Sequence, residues 1–144
     1  MSETFRYRLR TPGGGLAANL SAQALTSLDA PAHRLRIHRD VYLAAPGEIY
    51  WLDLAWLSFG LRLHAEYLST RHKNGLVVKV LSLDFPLSDY RSEVAALAMD
   101  GWVRQACNAP DIGARARYDQ ERARVTFDWG IPADPFDGVT EMNY

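Results

Sequence analysis

The stretch NGLVVKVLSLDFPLSDYRSEVAALAMDGWVRQAC, residues 74–107, decides the fold. Its opening run, Leu76 to Leu83, is aliphatic and β-branched apart from Lys79 and Ser82, the composition of a central strand buried on both faces. His72-Lys73-Asn74-Gly75 just before it reads as a turn. From Asp89 to Cys107 the apolar period lengthens: Tyr90, Val94, Leu97, Ala98, Gly101 and Trp102 share one helical face, while Arg91, Asp100 and Arg104 lie elsewhere. Ser88 or Asp89 is placed to cap this helix, and Asn108-Ala109-Pro110 to end it. Leu97 at the centre of the apolar face is expected to be buried against a sheet.

Working outward, Thr4 to Arg10 alternates, with Phe5, Tyr7 and Leu9 on one side and Arg6, Arg8 and Arg10 on the other, which predicts a half-buried strand. Pro12 and Gly13 to Gly15 end it. Leu20, Ala24 and Leu28 then fall at helical spacing after Asn19, so a short helix is expected there, stopped by Pro31. His33 to Leu43 alternates again and reads as one strand. Between Glu48 and Thr70 two periods compete: Leu54, Leu57, Leu61, Ala65 and Leu68 suit a helix, whereas Leu61 to Tyr67 alternates. Gly60 and the aromatic load tilt the second half toward strand and leave the first half, residues 48–59, open. Ala114, Ala116 and Tyr118, then Ala123, Val125, Phe127 and Trp129, alternate with arginines on either side of Asp119-Gln120-Glu121 and predict a β-hairpin. The expected architecture is one α+β domain over residues 1–129. An antiparallel or mixed sheet of about five or six strands carries one long and one short helix, and residues 130–144 form an extended tail.

Composition narrows the function. The chain has 144 residues, 48% hydrophobic and 23% charged, enough for one core and unlike a disordered protein. No apolar run reaches the roughly 20 residues of a membrane span, and MSETFRYRLR lacks the apolar core of a signal peptide, so a soluble, cytoplasmic protein is expected. The single cysteine, Cys107, makes neither an internal disulfide nor a zinc cluster, and it lies far from any helix N-terminus that would activate it. Sixteen basic against seventeen acidic residues leave a net charge of −1, which argues against coating nucleic acid by bulk charge. The bias to arginine and alanine resembles the coding of a GC-rich bacterial genome.

Position says more than sum. Arg6, Arg8, Arg10, Arg34, Arg36, Arg115, Arg117, Arg122 and Arg124 sit on the polar sides of expected strands. If those strands are neighbours, guanidinium groups line one sheet face and suit phosphates or carboxylates, and Arg91 in the 84–91 loop joins them. The competing explanation is a solvated face whose arginines pair with acids across strands. The first function expected is therefore a non-catalytic binding module for RNA, a ribonucleoprotein or an acidic protein.

The second is a cofactor-independent enzyme of cyclase, isomerase or lyase type acting on an apolar small molecule. Tyr50, Trp51, Trp56, Phe59 and Trp102 would line its pocket, and His64, Asp84, Asp89 and Tyr90 would supply acid–base groups, with His38 facing the same cavity as His64. Nothing supports a phosphate loop, because Leu16 and Ala17 follow the glycines where a lysine and Ser/Thr belong. Metal-binding histidine spacings are absent, and Ser88 and Ser92 lie outside any nucleophile elbow, so no metal or cofactor is expected. Asp89 and Glu93 one turn apart read as helix-start acids that favour the dipole.

Asn74 to Asp84 followed by Arg91-Ser92-Glu93-Val94-Ala95-Ala96-Leu97-Ala98 resembles the fourth domain of elongation factor G, over about residues 74–107. The resemblance implies a fold like the second domain of ribosomal protein S5, whose tip loops touch RNA. The glycine-rich tip loop of that family and a GTP-binding domain are missing here, so the scaffold alone would carry over.

Overall fold

The computed structural model describes residues 2–26 and 29–130. Seven strands form, β1 (Ser2–Thr11), β2 (Gly14–Leu25), β3 (Leu35–His38), β4 (Val41–Ala44), β5 (Leu76–Asp84), β6 (Arg115–Asp119) and β7 (Arg124–Asp128). Three helices, α1 (Trp51–Arg62), α2 (Ala65–Arg71) and α3 (Glu93–Cys107), complete a single α+β domain. The first five strands make one mixed sheet in the order β1-β2-β5-β4-β3, and β6 and β7 make a separate hairpin. Among the described strands only β4 and β5 run parallel, joined through α1 and α2.

β5 takes the central place expected of it, with Val77 and Val78, which point to opposite faces, both fully buried. Its register against β2 slips between Ser21 and Ala22, where Leu81 is the extra residue of a bulge. The slip inverts the alternation, so Leu76, Val78 and Val80 face the helices before it and Leu83 after it. Helix α3 lies across β1 and β2, burying Val94 to Val103 continuously, Leu97 among them at 2% exposure. Gly101 leaves room for the Phe5 ring, and the Trp102 indole donates to the Glu3 carbonyl at 3.1 Å.

Several expectations fail for physical reasons. The expected helix over Leu20 to Leu28 is strand β2, with residues 27–28 outside the described residues. Pro12-Gly13 turns the chain back tightly, Thr11 pairs with Gly14, and the β1 ladder then claims the alternating set Leu16, Ala18, Leu20 and Ala22. Pairing overrides the helix preference of an alanine-rich segment. The expected strand at His33 to Leu43 is broken into β3 and β4 by a turn at Arg39, whose φ is 50°.

The strand expected at Leu61 to Tyr67 is helical instead. Leu57, Leu61, Ala65 and Leu68 are all buried, and the chain leaves the helical path only at His64, between α1 and α2. Gly60 lets α1 approach α3 closely, since a Cβ there would stand 2.5 Å from the Ala96 carbonyl oxygen. The long helix begins at Glu93 rather than Asp89, because Pro86 leads into a separate 3₁₀ turn, Leu87–Asp89; neither Ser88 nor Asp89 caps it. Asn108, in the left-handed region at φ 55°, ends it. The turn at 72–75 and the β6–β7 hairpin form as expected, and the expected tail, beyond Gly130, lies outside the described residues.

Candidate functional site

The helices pack on one face of the sheet, where Phe5, Tyr7 and Leu9 point, so alternation sends Arg6, Arg8 and Arg10 to the other. Opposite them in β2 stand Asn19, Ala17 and Gly15. All three arginines are exposed. Arg8 is held in place: Nη2 donates to Asn19 Oδ1 at 2.7 Å and Nη1 to the Tyr7 carbonyl at 2.6 Å. Among the described residues no carboxylate forms an ion pair with Arg6, Arg8 or Arg10. Arg8, Arg10 and Gly15 line a hollow of about 350 Å³ together with Asp89, which brings the 84–91 loop beside the stripe.

The remaining arginines of the expected platform sit elsewhere. The strand order forces the connection from β2 to β3 across β5 and β4, and Pro31 and His33 in that connection share a hollow with Ala44 and Lys79. Arg36 is beyond it, opposite Tyr42 at the far edge, and Arg34 stacks on the Tyr42 ring at 4.6 Å. Arg115, Arg117, Arg122 and Arg124 belong to the separate hairpin. There Arg115 faces Asp128, Arg124 faces Asp119, Arg117 reaches Asp128 at 3.5 Å and Arg122 reaches Asp119 at 3.8 Å. Arg91 is engaged by Glu93 at 2.6 Å, by the Val125 carbonyl and by the Phe127 ring.

The residues of the enzyme hypothesis are dispersed. His64 is 1% exposed, and its Nε2 stands 2.6 Å from Asp100 Oδ1, with Arg104 on the other carboxylate oxygen. A carboxylate only accepts, so His64 donates from Nε2 and ties the α1–α2 corner to α3. His38 instead meets Glu66 at 2.8 Å, so the two histidines share no cavity. Trp56 and Phe59 pack with Trp129 inside the core, Trp102 is sealed under β1, and Trp51 is 65% exposed. Of the five aromatic residues expected to line a pocket, Tyr50 alone borders the cleft that exists at the ends of β4 and β5.

That cleft, about 250 Å³, is bordered by Glu48, Asp53, Ser82, Asp84 and Phe85. Tyr90 stacks on Phe85, ring centroids 3.5 Å apart, and donates to Asp53 Oδ1 at 2.7 Å. Burial first, then that hydrogen bond and the carboxylate charge, push the Tyr90 phenol far above its ordinary range, so it stays a hydrogen-bond donor and exchanges no proton near neutral pH. Asp84 borders the cleft, Asp89 lies at the arginine stripe and His64 in the interior; the four do not converge. Burial, then the Glu3 charge, pushes the Cys107 thiol up to about 11, consistent with an inert residue.

Asp53 and Asp100 escaped the sequence reading. For Asp100 the sequence offered one signal, a single acid within the otherwise uncharged run from Val94 to Val103, which calls for a partner once that whole run is buried. No protein-family model matches this chain, and no curated protein matches it either.

Proposed function

We propose that this protein is a non-catalytic binding module that takes the phosphate backbone of single-stranded RNA along β1, with the 84–91 loop at the side of the track. The observation that carries the proposal is the stripe of Arg6, Arg8 and Arg10, exposed on an edge strand and in no ion pair among the described residues, with Asp89 sharing the hollow beside Arg8 and Arg10. Alternate residues of a strand stand about 6.8 Å apart, and each guanidinium presents a planar fork to a phosphate. Ala17 opposite Arg8 raises no wall, the Asp89 carboxylate lies over Gly15 at the Arg10 end, and Asn19 fixes the middle guanidinium. The outward side chains of β1 and β2 include no aromatic residue, so bases gain little stacking there, and the binding is tolerant of sequence and sensitive to salt. The resemblance of residues 74–107 to the fourth domain of elongation factor G points the same way. The enzyme alternative lacks a convergent acid–base pair, since His64 and Tyr90 are both committed to buried carboxylates.

Fluorescence anisotropy with a labelled oligouridylate tests this. Three phosphate contacts predict a log–log salt slope of about −2 for a single strand. Changing Arg6, Arg8 and Arg10 together to glutamine removes the slope and leaves the melting temperature nearly unmoved, because exposed charges contribute little to stability. The same change at Arg115, Arg117, Arg122 and Arg124 serves as the comparison and weakens binding far less. Affinity that is flat from low to physiological salt, or binding of polyglutamate in preference to RNA, refutes the proposal.

A further inference from the structure

One carboxylate stands within the arginine stripe. Asp89 shares the hollow of about 350 Å³ with Arg8, Arg10 and Gly15, yet among the described residues it forms an ion pair with neither arginine nor with any other cation. Gly15 faces Arg10 across the ladder, so a Cβ on Gly15 would point to the arginine side of the sheet, where it would stand 3.3 Å from Asp89 Oδ2. Gly14 needs glycine for its φ of 123°, but Gly15 has no positive φ. What the missing side chain of Gly15 provides is space for the carboxylate.

The loop holds Asp89 in that place. Its N–H donates to the Pro86 carbonyl at 3.1 Å, closing the 3₁₀ turn Leu87–Asp89, and the next residue, Tyr90, is pinned by its stack on Phe85 and its bond to Asp53. A fixed carboxylate beside a phosphate track is repulsive unless a donor comes between, because carboxylate and phosphodiester are both anionic and both only accept. The sugar supplies that donor. Consecutive phosphates of a strand are separated by one ribose, so a nucleotide whose flanking phosphates lie on Arg8 and Arg10 sets its ribose over the hollow. The 2′-hydroxyl is the one O–H donor of an internal ribose, and deoxyribose has none.

Building on the phosphate track proposed above, we infer that Asp89 accepts the 2′-hydroxyl of the ribose lying between Arg8 and Arg10, and so makes the track select RNA over DNA.

Fluorescence anisotropy on the intact chain tests this with three labelled strands of equal length and the same base, oligouridylate, oligodeoxyuridylate and 2′-fluoro-oligouridylate. The 2′-fluoro sugar keeps the pucker of ribose but has no proton to donate, so pucker and hydrogen bond are read separately. Oligouridylate should bind about tenfold more tightly than either of the others, the low end of what a hydrogen bond to a charged group contributes. Asp89→Ala removes no ion pair of the described residues and should abolish the preference, weakening oligouridylate and tightening oligodeoxyuridylate. A carboxylate that only repels phosphate would on removal tighten all three strands alike, and that result overturns the inference. Equal affinity of the unaltered protein for the three strands with the salt slope intact, or a preference that survives in Asp89→Ala, also overturns it and leaves the phosphate track standing. Absence of salt-dependent binding to any of the three strands overturns the track, and the role of Asp89 with it.

Discussion

Removing the Asp100 carboxylate should destabilise the protein far more than removing its partly exposed partner Arg104. Asp100 accepts from His64 at 2.6 Å and from Arg104 at 3.1 and 3.2 Å, and the side chains are 2%, 1% and 34% exposed respectively. Asp100→Ala strands the His64 donor in the interior, where breaking a buried pair costs roughly 3 to 5 kcal/mol. Arg104 is a third exposed and recovers solvation when its partner goes, so its share of the loss is under about 1 kcal/mol. Arg104→Gln should therefore cost less than about 1 kcal/mol, and the asymmetry between the two variants is the informative quantity. Replacing His64 and Asp100 together by leucine leaves no stranded polar group and should cost well below the sum of the single changes. Urea unfolding at neutral pH with linear extrapolation measures these variants, the single His64→Leu and Asp100→Leu chains and the unaltered protein. Equal losses for Asp100→Ala and Arg104→Gln, or additivity in the double variant, would refute the claim that a buried His–Asp bond joins the α1–α2 corner to α3.

Gly60→Ala should destabilise by about 1 to 2 kcal/mol in urea unfolding, because the added methyl meets the α3 backbone at Ala96 and overpacking outweighs a helix-propensity gain of about 1 kcal/mol. Leu97→Ala should cost roughly 2 to 5 kcal/mol by the same assay, through lost burial and the cavity left beneath β1 and β2. Glu93→Gln should cost under about 1 kcal/mol, since its partner Arg91 is 50% exposed and the pair is solvent-screened. The Cys107 thiol, pushed up to about 11 by burial, should alkylate slowly at pH 8 in the folded chain. Its stabilisation is full below the ordinary thiol value of 9.0 and is lost as pH rises toward 11, so melting temperature should fall over that window, and less steeply in Cys107→Ala.

The sequence revealed an element best where a single period and its punctuation agreed. Leu76 to Leu83 read as a central strand and Val94 to Trp102 as a buried helix face, and both are where the pattern put them. Gly14 to Leu25 misled because alanine and leucine at spacings of four satisfy a helix and also, at spacings of two, a strand; the turn at Pro12-Gly13 settles the choice by offering β1 as a partner. Residues 48–70 misled in the opposite direction. Gly60, taken as a cost to a helix, is what permits α1 and α3 to touch, a tertiary gain invisible in any local count. The Asp53–Tyr90 and His64–Asp100 bonds join residues 37 and 36 positions apart, beyond the reach of any motif spacing.

Charge was half legible for the same reason. Alternation correctly sent the β1 arginines to one face, but whether they face acids depends on strand pairing, which composition does not contain. The hairpin carries as many arginines as its acids can answer: Asp119 and Asp128 stand opposite Arg124 and Arg115 in register, and each also reaches a second arginine. β1 has three arginines opposite Asn19, Ala17 and Gly15, none of which can neutralise a guanidinium. Glu66 and Asp100 are spent on pairs among the helices and the β3 edge, and Glu93 on the loop beside α3. Among the described residues the β1 arginines thus stand outside every ion pair, with the Asp89 carboxylate near Arg8 and Arg10, and a polyanion meets the local field of that strand, because at physiological ionic strength charges farther off than about 8 Å are screened.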